Sequence, residues 1–181
     1  MKKLGEKVLF RGNWITLKSL SFSGADGKVF QWECVERKNR QNGMVIVARL
    51  MPSQRVVLVK QYRPAINNYI IGFPAGMADS DDIEKEALRE LLEETGFTGR
   101  ITGISPPLKS NPAFLNDYVY IVKAEIDETA SCNLKPVQNL GTGEEIEVLP
   151  VKEKELPSFL QEQHKGGLEI GIGPWYVFCT L

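Results

Sequence analysis

Between residues 44 and 62 apolar side chains follow one another almost without a break, in the runs MVIVARL and RVVLVKQY joined by Met51-Pro52-Ser53-Gln54. Runs of this kind predict two central strands, Met44–Leu50 and Arg55–Tyr62, covered on both faces. Before them, β-branched and aromatic segments predict strands over Lys7–Arg11, Asn13–Ser23 and Lys28–Arg37. Ala25-Asp26-Gly27 supplies a hairpin turn and Lys38–Gly43 a polar one. After them come shorter strands over Tyr69–Phe73, Gly99–Ile104, Tyr118–Ile126 and Glu145–Leu149. Helices are predicted over Val151–Gln163 and over Pro174–Leu181, the latter with Pro174 near its first turn.

One stretch changes period. Over Ser80–Thr95, Ile83, Ala87, Leu88 and Leu91 form an apolar stripe at about 100° per residue, which predicts an amphipathic helix. Ser80 is placed to cap it, Asp81 and Asp82 suit its positive end, and Gly96 suits its termination. Strands on both sides of this helix, with further helices at the end, predict an α/β fold: a mixed sheet between helices. Residues 1–43 are expected to form a strand-rich dimerisation arm and 44–181 the main domain. Three short strands bury little alone, so the arm must pack on the rest of the chain or on a second copy.

Glu86, Glu90, Glu93 and Glu94 fall together beside the apolar stripe. Like charges four residues apart destabilise a helix by a few tenths of a kcal/mol, roughly, per pair. Such a stripe is better explained by a divalent cation than by solvent. Carboxylate oxygens with no histidine or thiolate nearby suit magnesium or manganese. The competing reading is a solvated surface helix.

Composition narrows the partners. The chain has 181 residues, 43% of them hydrophobic, and a net charge of −1. Nothing in that balance argues for nucleic acid or an anionic membrane. Cys34, Cys132 and Cys179 are odd in number and form no CxxC, which predicts free thiols. The N-terminal MKKLGEKVLF lacks an apolar core and a cleavage signal, so the expected location is the cytoplasm. The one histidine, His164, lies in polar surroundings and is expected to be exposed.

Arg89-Glu90-Leu91-Leu92-Glu93-Glu94-Thr95-Gly96-Phe97 resembles the R-E-U-x-E-E-x-G-U half of the Nudix box, U being a bulky apolar residue. The full box opens with Gly, five residues, Glu and seven more before the Arg. Here Gly76 is followed by four residues and Asp81, so the loop is one residue short and its acid, usually a loop-bracing residue, is Asp. The resemblance implies a Nudix α/β/α sandwich and a diphosphate hydrolase using Mg2+, with Mn2+ as a substitute. It implies metal ligation by the Ala75 carbonyl and by Glu90, Glu93 and Glu94, with Arg89 orienting the glutamates.

Further motifs resemble the ADP-ribose pyrophosphatase branch. Gln61-Tyr62-Arg63-Pro64 precedes a strand end, Gly72-Phe73-Pro74-Ala75-Gly76, in which Gly72 replaces the usual Glu. Pro112 lies 15 residues beyond Phe97, where that branch carries a marker proline. Gly12-Asn13-Trp14 and Trp32-Glu33-Cys34-Val35-Glu36-Arg37 resemble an N-terminal domain in which tryptophans from two subunits enclose adenine. The resemblance therefore implies a homodimer whose substrate contacts include Trp14, Trp32, Glu33, Arg37, Arg63 and Met77. It also makes Glu144, in Gly141-Thr142-Gly143-Glu144-Glu145-Ile146-Glu147, the candidate base. The expected substrate is ADP-ribose or a related nucleoside diphosphate sugar. UDP- or GDP-sugars, and a silent nucleotide sensor, are the alternatives.

Overall fold

A computed structural model describes residues 1–38 and 42–179. Its chain divides into two compact units, one comprising residues 1–43 with 106–120 and the other residues 44–105 with 121–181. Part of the predicted polar turn 38–43, and the last two residues of the predicted helix 174–181, lie outside the described residues.

The first unit is built on three antiparallel strands in the order β1 (Lys2–Arg11), β2 (Ile15–Ser23), β3 (Val29–Arg37). β1 starts five residues earlier than its apolar pattern suggests, and the ladder with β2 is interrupted between Lys3 and Gly5 and between Val8 and Phe10. Such bulges let a strand with irregular patterning remain paired. The hairpin closes as expected, with the Gly24 N–H donating to the Lys28 carbonyl at 2.9 Å. Segment 106–120 joins this unit through the Val35 N–H to the Phe114 carbonyl (2.9 Å) and the Trp32 indole N–H to the Ala113 carbonyl (2.7 Å).

The second unit holds the core. β4 (Asn42–Met51), β5 (Arg55–Arg63), β6 (Asn68–Gly72), β7 (Ala75–Ala78), β8 (Arg100–Ile104), β9 (Val119–Asp127), β10 (Ile146–Lys152) and β11 (Glu169–Ile170) make one mixed sheet. Its main path runs β11-β6-β5-β4-β9-β8, with β10 on β5 and β7 on β4; the ends of β4 and β9 carry the boundary with the first unit. Val56, Val57, Leu58 and Val59 of β5 are all buried, as a strand covered on both faces requires, whereas β4 alternates, burying Met44, Ile46, Ala48 and Leu50. α2 (Leu156–Lys165) packs Leu156 and Leu160 against Val56, Leu58, Ile71 and Phe73. Burying each such side chain is worth about 1.5–3 kcal/mol.

Three boundaries differ from the sequence pattern. β10 runs on to Lys152, because Val148 and Val151 complete the ladder with Val59 and Val56, and α2 begins only at Leu156, with Pro157 in its first turn. Pro150 is tolerated in that strand because, among the described residues, β10 pairs only with β5, leaving an edge that needs no donor. α3 (Ile172–Phe178) starts two residues before Pro174, so that Pro174 again occupies the first turn. No described helix is long and apolar enough to cross a membrane. His164 is exposed, and the three cysteines are free.

Candidate active site on helix α1

α1 spans Ile83–Thr95 and buries Ile83, Ala87 and Leu91 of the predicted stripe together with Glu86, Glu94 and Thr95, leaving Leu88 half-buried. Its cap is Asp82, whose side chain accepts from the Lys85 N–H at 3.1 Å. Ser80, the expected cap, instead donates its hydroxyl to Glu86 at 2.7 Å. The helix begins three residues later than the apolar pattern suggests, and the cap falls on Asp82, two residues beyond Ser80. Gly96 ends the helix with φ 75°, and a Cβ there would strike the Val137 backbone. The strand of loop packed on that end also satisfies helix carbonyls, Asn139 N–H to Glu93 O (2.9 Å) and Gln138 Nε2 to Glu94 O (2.6 Å).

Arg89 stands at the centre of the carboxylates. Its Nη1 donates to Glu93 at 2.7 Å, its Nη2 to Glu90 at 3.0 Å, and its Nε and Nη2 to Glu86 at 3.1 and 3.0 Å. Nη2 also reaches the Met77 carbonyl at 3.4 Å. Burial opposes the charge on this guanidinium, but Glu86, Glu90 and Glu93 more than offset it, holding its pKa above the ordinary arginine value. On the next face Glu94 accepts the Ala75 N–H at 2.9 Å, which ties α1 to β7 beside the expected carbonyl ligand. Gly76 lets the Glu90 carboxylate come close, since a Cβ at that position would overlap it. At Gly72 a Cβ meets nothing within 4 Å, so the strand end has room for a side chain it does not carry.

The electrostatics of this face are those of a crowded, partly buried acidic site. Burial pushes the Glu94 carboxyl up to about 7, the charges of Glu90 and Glu144 adding to the effect and the Ala75 N–H and Arg63 opposing it. Burial likewise raises Glu90, with Glu93 and Glu144 contributing against Arg89. Glu144 and Arg63 are therefore within electrostatic reach of the helix carboxylates. Glu144 itself accepts the Gly141 N–H at 2.8 Å in a tight turn, and its neighbour Glu145 is held by the Tyr69 hydroxyl at 2.5 Å. Among the described residues no three His, Cys, Asp or Glu side chains converge as closely as a bound metal would draw them. The donor set nonetheless fits a hard divalent cation: carboxylate and carbonyl oxygens, two of the carboxylates carrying unfavourable buried charge that a cation would relieve.

The remaining expected contacts belong to the first unit. Trp14 and Trp32 are exposed, 82% and 50%. The Trp14 carbonyl accepts from the Lys38 N–H, whereas Trp32 pairs with Leu20, six residues back along β3. At about 3.3 Å per residue that is roughly 20 Å, so the two indoles of one chain do not face each other. Glu33 and Arg37 lie on the opposite face of β3 from Trp32, by strand alternation. Arg37 donates Nε to Asp117 at 3.0 Å. Pro112 sits in a turn in which the Phe114 and Leu115 N–H groups both donate to the Asn111 carbonyl.

Sequence reasoning did not single out Glu86 as the partner of Arg89, though its three-residue spacing on one helix face was a usable signal. It also missed the Tyr69–Glu145 contact, for which the sequence carries no local sign.

Residues 39–167 match the family model described as NUDIX domain. The chain is 34% identical over 166 residues to an uncharacterized Nudix hydrolase of Schizosaccharomyces pombe, covering 88% of this chain and 81% of that one. It is 32% identical over 171 residues to ADP-sugar pyrophosphatase of Mus musculus, covering 88% and 78%. To ADP-ribose pyrophosphatase of Saccharomyces cerevisiae it is 31% identical over 166 residues, covering 87% and 72%. A crystal structure of an ADP compounds hydrolase shares the fold, with TM-score 0.68 at 19% identity over 89% of this chain and 84% of that one. The carboxylate helix thus lies within a matched region spanning well over half of the sequence, and the chain belongs to the Nudix hydrolase family.

Proposed function

We propose that the protein hydrolyses the pyrophosphate bond of ADP-ribose, or of a related nucleoside diphosphate sugar, with Mg2+ and with Mn2+ as a substitute. The observation that carries this reading is the set Glu90, Glu93 and Glu94 gathered on α1 about Arg89, beside Ala75. The relatives named for ADP-sugar and ADP-ribose hydrolysis support the substrate class. Glu90, Glu93, Glu94 and the Ala75 carbonyl would hold the metal, which when bound offsets diphosphate charge and acidifies a water. Arg89 keeps Glu90 and Glu93 oriented toward one another. Glu144, whose charge acts on Glu90 and Glu94, would take the proton from the attacking water, its glycine-flanked loop allowing the approach. Arg63 and the Met77 strand face the diphosphate, a guanidinium fork suiting phosphate oxygens.

Trp14 and Trp32 would supply the walls of the base site, while Glu33 and Arg37, on the opposite face of β3 from Trp32, would contact the substrate apart from that indole. Since the two indoles lie far apart along one arm, the site requires Trp14 of one chain and Trp32 of another, hence a homodimer acting in the cytoplasm. A substrate panel coupled to phosphatase tests the reading. ADP-ribose should be cleaved to AMP and ribose 5-phosphate, and faster turnover of UDP-glucose than of ADP-ribose would overturn the choice of base.

A further inference from the structure

Asp81 occupies the place of the acid that opens the Nudix box, yet it is exposed and, among the described residues, makes no ion pair with Arg89. It precedes the cap residue Asp82 and so lies off the helix. Glu86 lies on the helix, three residues before Arg89, buried at 6% exposure. One of its oxygens takes both Nε and Nη2 of Arg89, and the other takes the Ser80 hydroxyl. The Asp79 backbone also hydrogen-bonds this carboxylate. One side chain therefore joins the shortened loop to the guanidinium around which Glu90 and Glu93 are arranged.

We propose that Glu86 is a positioning residue that takes over the bracing role of the box's loop acid, fixing Arg89 so that Glu90 and Glu93 remain available to a divalent cation. This rests on the metal-dependent reading above. The physical reason is competition for charge. Arg89 hydrogen-bonds three carboxylates and forms a longer ion pair with a fourth, Asp79, at 3.7 Å, and a cation drawing on Glu90 and Glu93 must take them from the guanidinium. Glu86 remains bound to Arg89 and keeps its positive charge neutralised and in place. Without Glu86, Arg89 keeps only the longer Asp79 ion pair besides Glu90 and Glu93, and it holds those two against the metal.

The test uses the full chain and compares Glu86→Gln, Glu86→Asp, Ser80→Ala and Asp81→Asn. Free Mn2+ is followed by electron paramagnetic resonance without substrate, and kcat and KM for ADP-ribose are measured with Mg2+. Glu86→Gln should weaken Mn2+ binding about 10- to 100-fold, the range for removing a group that orients metal ligands. It should lower kcat while KM changes less than about threefold. Glu86→Asp should recover part of the Mn2+ affinity. Ser80→Ala, which leaves Glu86 in place and is the milder probe should Glu86→Gln fold poorly, should weaken Mn2+ binding measurably. Asp81→Asn should stay within about twofold of wild type throughout. Unchanged Mn2+ affinity in both Glu86→Gln and Ser80→Ala, or a larger loss in Asp81→Asn, overturns the proposal. Because Mn2+ binding is read without substrate, a weakened Glu86→Gln supports the brace even if ADP-ribose proves not to be the substrate.

Discussion

In the unit of residues 44–105 and 121–181, β5 loses Val56, Val57 and Leu58 entirely from solvent, and even charged Glu86 and Glu94 are buried. In the unit of residues 1–43 and 106–120, Leu4, Phe10, Trp14, Val29 and Trp32 all remain half exposed or more. One unit builds a buried core and places acids where water is scarce, although Val137, Ile172 and Tyr176 stay exposed on its surface. The other leaves aromatic and aliphatic faces uncovered and joins its charges in pairs such as exposed Lys3–Glu6 and half-buried Lys18–Glu36. Catalytic precision needs the first environment, where a carboxylate is held by packing. Recognition of a flat base needs the second, where an indole face is left free.

Removing one buried acid should sharpen this contrast most. Glu94→Gln deletes a proposed metal ligand while its amide oxygen still accepts the Ala75 N–H. Turnover should fall by about 10³-fold or more, as the loss of several kcal/mol of charge stabilisation implies. The melting temperature should hold or rise, because a carboxyl pushed up by burial is replaced by a neutral group. A loss under tenfold at saturating Mg2+ would remove Glu94 from the metal set.

Next in size is the core itself. Leu58→Ala should cost about 2–5 kcal/mol in denaturant unfolding, since nothing beside a fully buried strand collapses freely into the gap. Phe10→Ala, at 62% exposure, should cost less than about 0.5 kcal/mol in dilute protein. The proposed dimer should weaken in that variant, as light scattering would show. Equal costs at the two sites would erase the distinction between the units.

The exposed indoles come third. Trp14→Ala and Trp32→Ala should each raise KM about 10- to 100-fold with kcat little changed, the worth of one base stacked on an aromatic ring being roughly 1–3 kcal/mol. Mixing the two variants should restore part of the low-substrate activity, because one site of each mixed dimer regains both tryptophans. Mixtures no better than the separate variants would mean that no site is shared.

How much of this was legible beforehand follows from the range of the forces involved. The α1 stripe, the Glu face, the Gly96 stop and the runs of β4 and β5 are local patterns, readable because 3.6-residue and continuous-apolar spacing are written along the chain. The cap at Asp82 and the start of α2 at Leu156 depended on which of several adequate neighbours won, a contest that for α2 is bounded by the β5–β10 ladder running to Lys152. The association of segment 106–120 with residues 1–43 was not legible at all. It rests on hydrogen bonds to main-chain groups about 80 positions away, such as the Val35 N–H to the Phe114 carbonyl and the Trp32 indole N–H to the Ala113 carbonyl, and main-chain groups leave no mark on composition. Trp14 and Trp32 were legible as a pair, but their separation along β3 emerged only from the register.

The smallest effect separates the units by their ion pairs. Glu128 accepts the Ser53 N–H and an Arg55 guanidinium N–H, both at 2.7 Å, fastening the β4–β5 turn to the end of β9. Arg55, then Ser53, hold its carboxyl below the ordinary glutamate value of 4.5. The folded state thus binds this proton more weakly than the unfolded state, so the contribution is fully present above the unfolded value. It disappears as pH falls through the folded one. Glu128→Gln should therefore trail wild type by less than about 1 kcal/mol at pH 7 in urea unfolding, a shift of a few degrees at most. The gap should close on acidification, because both proteins then carry a neutral side chain. In the other unit Glu6 is lowered too, by Lys3 and Lys18, but it stands in open solvent where water screens the pair. Glu6→Gln should open no measurable gap at any pH. A Glu128 gap that widens toward low pH, or a Glu6 gap as large as that of Glu128, would show that burial is not what sets the two units apart.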